Sequence, residues 1–200
     1  MRSSICLTAV IAMAGCGSKA KPADTTPQPT ADDSAVTEGG DWHRVKPGLW
    51  TYDRDFDRAP ETPLVAPDAG RGIERIDLPA GATGGTVTTI SADMLGAGDF
   101  TWTVYASDGP GGELGASIAS GDGTAPATAT PESGAWVDVG LKAPVTTPFA
   151  IVFTTRSGEP AVGAIEGDAP GNVYFQPDPS SPAQQTPFIA YVRVSLADVH

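Results

Sequence analysis

Few side chains in this sequence are placed to do chemistry. Its 200 residues include two histidines, His43 and His200, and the second is the last residue. A Ser-His-Asp triad would have to recruit one of them, and no Gly-x-Ser-x-Gly stretch presents a nucleophile. A hydrolytic metal centre built on clustered histidines is excluded by the same count. No Gly-rich phosphate loop leads into a helical pattern. Carboxylates remain. Glu166 with Asp168, or Asp53 with Asp55, have the residue types of a glycosidase acid pair. Thirteen acidic residues follow Ile76, however, and that density creates close pairs by chance. The chain is therefore expected not to be an enzyme, with an acid-pair glycoside hydrolase as a distant alternative.

The triplet Asp53-x-Asp55-x-Asp57 would line three carboxylates along one face of an extended segment, the raw material of a Ca²⁺ site. The helix-loop-helix calcium template wants Gly at its sixth position and Glu at its twelfth, where this chain has Arg58 and Leu64. Arg54 and Arg58 also offer charge compensation, so a solvated, arginine-balanced strand face is the competing reading. Calcium is the only cofactor that the residues bring into view. For binding, aromatic residues beside polar ones are the signal. Phe100, Trp102 and Val104 alternate as a core face does, and Trp136 opens a strand, so these read as structural. Trp50, Tyr52, Tyr105, Tyr174 and Gln176 are less explained by a core and form the candidate ligand face, suited to a glycan.

The remaining reactive group is a thiol. Both cysteines, Cys6 and Cys16, fall in the first sixteen residues, and Cys6 lies inside an apolar run from Ile5 to Ala14 that follows Arg2. That run is too short to span a ~30 Å hydrocarbon core as a helix but fits a secretory signal. If the signal is removed, Cys16 is the only cysteine left and has no disulfide partner. The stretch Met13-Ala14-Gly15-Cys16 resembles the Leu-Ala-Gly-Cys box that ends the signals of bacterial lipoproteins, with Met13 in place of Leu. The resemblance implies a diacylglyceryl thioether on Cys16, which becomes the mature N-terminus, and a membrane anchor of several palmitate-like chains. At about 0.8 kcal/mol per buried methylene such an anchor is effectively permanent. Gly17, rather than Asp, after the cysteine implies outer-membrane sorting where a second membrane exists. Ala12-Met13-Ala14 is also an A-x-A site, and cleavage there would instead release a soluble protein.

These readings divide the chain into a signal over 1–15, a lipidated cysteine and flexible Pro/Thr/Asp-rich tether over 16–40, and a folded domain over 41–200. The tether has few large apolar residues and cannot offset its ordering entropy. Its root-mean-square reach is roughly 25–30 Å, enough to lift a domain clear of lipid headgroups. The formal net charge is -12, and after Ile76 only Lys142, Arg156 and Arg193 are basic. That field opposes phosphate binding and excludes a nucleic-acid partner.

The elements that must position any site are strands. The 24 glycines, 19 prolines and abundant Thr argue against helices and for short strands joined by turns. Strand patterns run over 73–78, 86–92, 100–106, 114–119 (weak), 136–141, 149–155, 162–166, 172–175 and 188–196, with loops at 108–112, 121–134 and 176–187. Segment 149–155 is almost wholly apolar or β-branched, as a central strand covered on both faces would be. The expected fold is all-β, a two-sheet antiparallel β-sandwich of jelly-roll kind. From Asp108 to Leu196 the order of turns and strands looks like the generic sandwich modules of bacterial surface proteins, which implies no catalytic residue. Together these readings describe a lipid-anchored envelope or cell-surface protein whose sandwich binds a glycan or an envelope protein. The alternative is a structural envelope lipoprotein with no small-molecule ligand.

Overall fold

The computed structural model describes residues 36–38, 41–54, 62–65, 70–107, 113–167 and 173–200. The signal, Cys16, most of the tether, Asp55, Asp57, Asp168 and the 108–112 turn lie outside the described residues.

Fourteen strands and no helix make up the described residues. In chain order they are β1 (Trp42–Lys46), β2 (Leu49–Asp53), β3 (Thr62–Val65), β4 (Arg71–Ile76), β5 (Gly85–Met94), β6 (Gly98–Ala106) and β7 (Ser117–Ala125). Then follow β8 (Ala135–Val145), β9 (Phe149–Gly158), β10 (Ala161–Glu166), β11 (Val173–Gln176), β12 (Gln184–Gln185), β13 (Phe188–Ala190) and β14 (Val192–Ala197). They form two antiparallel sheets that do not close into a barrel. The larger runs β1-β2-β14-β5-β10-β13, with β8 on the far edge of β5 and β3 on β10; the smaller runs β12-β11-β4-β9-β6-β7.

Eight of these strands make a jelly roll, β2-β14-β5-β8 facing β4-β9-β6-β7. Successive strands switch sheets, except at the β6–β7 hairpin. The faces follow alternation: Phe100, Trp102 and Val104 of β6 point inward, as do Val192, Val194 and Leu196 of β14. Phe149 to Phe153 of β9 are all buried, as their unbroken apolar run predicts. The inner side of β9 meets the main core. On its outer side Ala150 and Val152 join Ile73 and Tyr174 under Leu114 and Ala183.

Several elements depart from the sequence reading. The expected 121–134 loop begins as strand, since β7 continues to Ala125. Its inward residues are Ala119, Gly121, Gly123 and Ala125, too small to register as an apolar face. The small size is needed there: a Cβ on Gly123 would stand 2.5 Å from Phe100 Cζ, and one on Gly121 2.7 Å from Val139 Cγ1. The single closing strand is two, broken at Tyr191, whose N–H donates to Gly163 O while its carbonyl accepts from Asp93 N–H. An additional hairpin, β1–β2, turns at Pro47-Gly48, where Gly48 takes φ +72°. Val36 is buried in the core and Thr37 N–H donates to Ala80 O, so contact with the sandwich starts upstream of Asp41.

The strands outside the eight-strand roll matter most for function. Chain between β9 and β14 adds β10 and β13 to the larger sheet and β11 and β12 to the smaller one, while β3 pairs β10. Both sheets thereby extend past the roll on the same side, leaving a gap between them.

Candidate functional site

That gap is a cavity of ≈ 460 Å³, a size ordinary for small-molecule sites of about 300–1,000 Å³. One wall is a row across the smaller sheet. Phe175, Gly72, Phe153 and Trp102 are register partners on β11, β4, β9 and β6, and all four line the cavity. Gly72 makes the room. A Cβ built on it would meet only Phe153 Cβ at 4.0 Å, so the missing side chain leaves open space between two aromatic rings. The opposite wall comes from Leu64, Val162, Phe188 and Val192 of the larger sheet. Gln184, Gln185 and Thr186 supply polar groups, and Thr186 is fixed by donating its N–H and its hydroxyl to Val173 O, 3.0 Å each.

Glu74, one row along β4, carries the only ionisable carboxyl in the described lining. Strand alternation puts it on the same face as Ile76, and it is 3% exposed. Tyr52, across the sheet gap on β2, donates its hydroxyl to Glu74 Oε1 at 3.1 Å. Arg54 brings a guanidinium nitrogen to 3.9 Å of the same oxygen and donates Nε–H to Asp41 Oδ2 at 2.9 Å. Its guanidinium also lies 5.6 Å from the Tyr52 ring centroid. The chain Asp41–Arg54–Glu74–Tyr52 thus ties the β1–β2 hairpin to β4 through the interior.

Burial dominates the protonation of this group. Desolvation pushes the Glu74 carboxyl up to about 7, against the pull of Arg54 and of the Tyr52 hydrogen bond. Burial likewise raises the Tyr52 phenol, helped by the adjacent Glu74 charge. For Arg54 burial acts downward, but Glu74, Tyr52 and Asp41 outweigh it and keep the guanidinium charged. Two buried atoms of the lining residues have no protein partner: Glu74 Oε2 and Trp102 Nε1. Each such orphan costs about 1–3 kcal/mol.

The residues expected to form one ligand face are separated. Trp50 is fully buried and Tyr52 is 4% exposed, both in the inter-sheet core. Tyr105 and Tyr174 come together on the outer side of the smaller sheet, around Ile73 and Val152, and Tyr174 is also among the residues that line the cavity. Gln176 shares that side but holds a loop in place: its Nε2 donates to Ser181 O at 2.8 Å. That loop is also braced by Asp178, whose carboxylate accepts from Ser180 and Ser181 and is held down at about 2, chiefly by the Ser180 hydroxyl. Asp53 accepts from Arg193 Nε at 2.9 Å, and Arg193 in turn lies 4.2 Å from the ring centroid of the exposed Trp136. Among the described residues no group of three His, Cys, Asp or Glu is arranged to hold a metal. Glu166 is exposed at the end of β10.

A second polar cluster sits on the outer face of β6, β7 and β9. Asp99 accepts from Ser157 and Thr124 (2.7 and 2.8 Å), and Asp122 from Thr101 and Arg156 (2.7 Å each). These hydrogen bonds, from Ser157 and Thr101 foremost, hold both carboxylates below the usual range. The partners are internal, so this is a cross-strand ladder.

Sequence reasoning did not find Glu74 or Gly72. One signal was available: Gly72, Glu74 and Ile76 share a parity, so burial of Ile76 implies burial of the acid. Fold and site together define an all-β jelly-roll sandwich with an aromatic-walled cavity between its extended sheets. No protein-family model matches the chain, and neither does any curated protein or solved structure in the comparisons.

Proposed function

We propose that this chain is a lipid-anchored envelope protein whose β-sandwich binds a small ligand between its sheets. The anchor half of the reading rests on Cys16 and its lipoprotein-like surroundings. The binding half is carried by one observation, the inter-sheet cavity walled by the Phe175–Gly72–Phe153–Trp102 row, in which Gly72 keeps open space between aromatic side chains. A sandwich whose gap served only as structure would be expected to fill it, because a void deprives its walls of apolar packing and destabilises in proportion to its size.

The test uses the full chain with Cys16→Ser, which carries no acyl group. Nile red, a neutral apolar fluorophore, is expected to brighten on binding this protein. Gly72→Val is expected to abolish that signal, since its branched side chain extends from β4 into the open space while suiting a strand. Far-UV circular dichroism checks that the variant remains folded. Equal brightening by a folded Gly72→Val protein would remove the cavity from the function.

A further inference from the structure

The wall around Gly72 has a definite width. Neighbouring strands lie about 4.7–4.9 Å apart, so Phe175 on β11 and Phe153 on β9 flank β4 with about 9.5 Å between their backbones. Side chains stand roughly perpendicular to a sheet, and between these two the position on β4 carries none. A Cβ on Gly72 would meet only Phe153 Cβ, at 4.0 Å. Phe153 is braced from its other side. Its ring centroid lies 5.3 Å from that of Phe100 and 5.2 Å from that of Trp102, and both belong to β6, across β9 from Gly72. The next inward residue of β4, Glu74, occupies the same gap one row on, between Val173 and Ile151. The opening is thus a slot one strand wide, closed at the Glu74 end.

A slot of this width sorts ligands by thickness. Carbon atoms in contact lie about 3.5–4 Å apart, so a planar ring standing between two side chains needs about 7–8 Å, which the gap supplies. A cage adds its own depth to that and overfills it. A flexible aliphatic chain is thin enough, but it gives up rotamer freedom on entry that a rigid ring never had. It also has no π-face to set against the flanking aromatic rings. Charge narrows the class further. Among the described lining residues there is no Lys or Arg to pair with an anion. Glu74 is buried and already faced by Arg54, so a cation would find no exposed counter-charge there. We infer that the slot takes an uncharged planar ring system, standing over Gly72 between Phe175 and Phe153. This rests on the reading of the cavity as the ligand site.

The test compares neutral alcohols of different shape for displacement of Nile red from the full-chain Cys16→Ser protein at neutral pH: planar 2-naphthol, the cage 1-adamantanol and the flexible heptan-1-ol. 2-Naphthol is expected to act at concentrations about tenfold lower than either of the others. Displacement by 1-adamantanol or heptan-1-ol as readily as by 2-naphthol overturns the planar-ring assignment while leaving the cavity as the binding site. Absence of Nile red binding to the parent protein would defeat the cavity reading itself. Gly72→Ala adds a methyl to the slot floor where only Phe153 Cβ lies near, so the strand is expected to be retained. Calorimetric titration of this variant with 2-naphthol is expected to show affinity reduced about tenfold. Undiminished affinity in a folded Gly72→Ala protein overturns the placement of the ring over Gly72.

Discussion

Glu74 makes stability depend on pH in a direction opposite to that of an ordinary salt-bridged acid. Its carboxyl is raised from 4.5 to about 7 in the folded protein. Below pH 4.5 both folded and unfolded chains carry the proton, and the group contributes no pH dependence. Between 4.5 and about 7 the unfolded chain gives its proton up while the folded one retains it, so stability falls as pH rises. At ~1.4 kcal/mol per pH unit over that interval, the loss amounts to about 3 kcal/mol and then levels off. Replacing Glu74 with Gln preserves an acceptor for the Tyr52 hydroxyl and removes the titration. Urea unfolding of parent and Glu74→Gln proteins from about pH 4.5 to about 8 isolates this effect as the difference between the two. The lowered carboxylates, Asp99, Asp122 and Asp178, contribute stability that is lost on acidification below the ordinary carboxylate range. They are common to both proteins and cancel. The variant should gain on the parent by about 3 kcal/mol across the range. A difference that stays flat, or a parent that gains on the variant as pH rises, would refute the placement of Glu74 as a desolvated acid and make it a working ion pair with Arg54.

Three further outcomes follow from the same geometry. Tyr52→Phe removes the hydroxyl on Glu74 Oε1, so it should destabilise by about 1–3 kcal/mol at neutral pH and move the Glu74 transition to higher pH, read by repeating the urea series. Gly123→Ala would push a Cβ against Phe100 and Val139 and should lower stability by about 1–3 kcal/mol. Gly140→Ala, where nothing lies within 4 Å, should change little; equal thermal midpoints for the two variants would contradict the β7 packing. Cys16→Ser should shift the protein from the membrane fraction to the soluble one, and retention with membrane after that change would remove the lipid anchor.

The legible part of the fold was the part in which inward residues are large. Phe100, Trp102 and Val104, or Val192, Val194 and Leu196, alternate with polar neighbours and reveal both the strand and its face. β7 was hidden because its inward face is Ala and Gly, a composition that reads as turn until Phe100 and Val139 are known to press on it. The break at Tyr191 was hidden for a different reason. Residues 188–196 alternate without interruption in sequence, and only the insertion of β10 beside β5 draws β13 away from the line of β14. Trp50 and Tyr52 share a face as alternation requires, but which face is decided by β14 and β4. Local pattern set the parity, and tertiary pairing set the direction.

The site was less legible because it is made of things that single-residue reading discounts: a glycine, an acid inside the sandwich, and an N–H with no partner. Their combination bears on whether the sandwich is structural or binds a ligand. At neutral pH the ionisation of Glu74 weakens the fold by about 3 kcal/mol relative to its protonated form, a loss that an uncharged residue of similar shape would not bring. The network around it relieves that burden only in part. Tyr52 and Arg54 both address Oε1, while Oε2 is buried with no protein donor. Polar groups that a fold buries yet fails to satisfy are concentrated where a protein departs from its stability optimum for function. The two readings therefore part at one substitution. On the structural reading Glu74→Gln improves the protein at neutral pH without any other change. On the binding reading the same substitution also alters a wall of the cavity, and the affinity for Nile red changes with it.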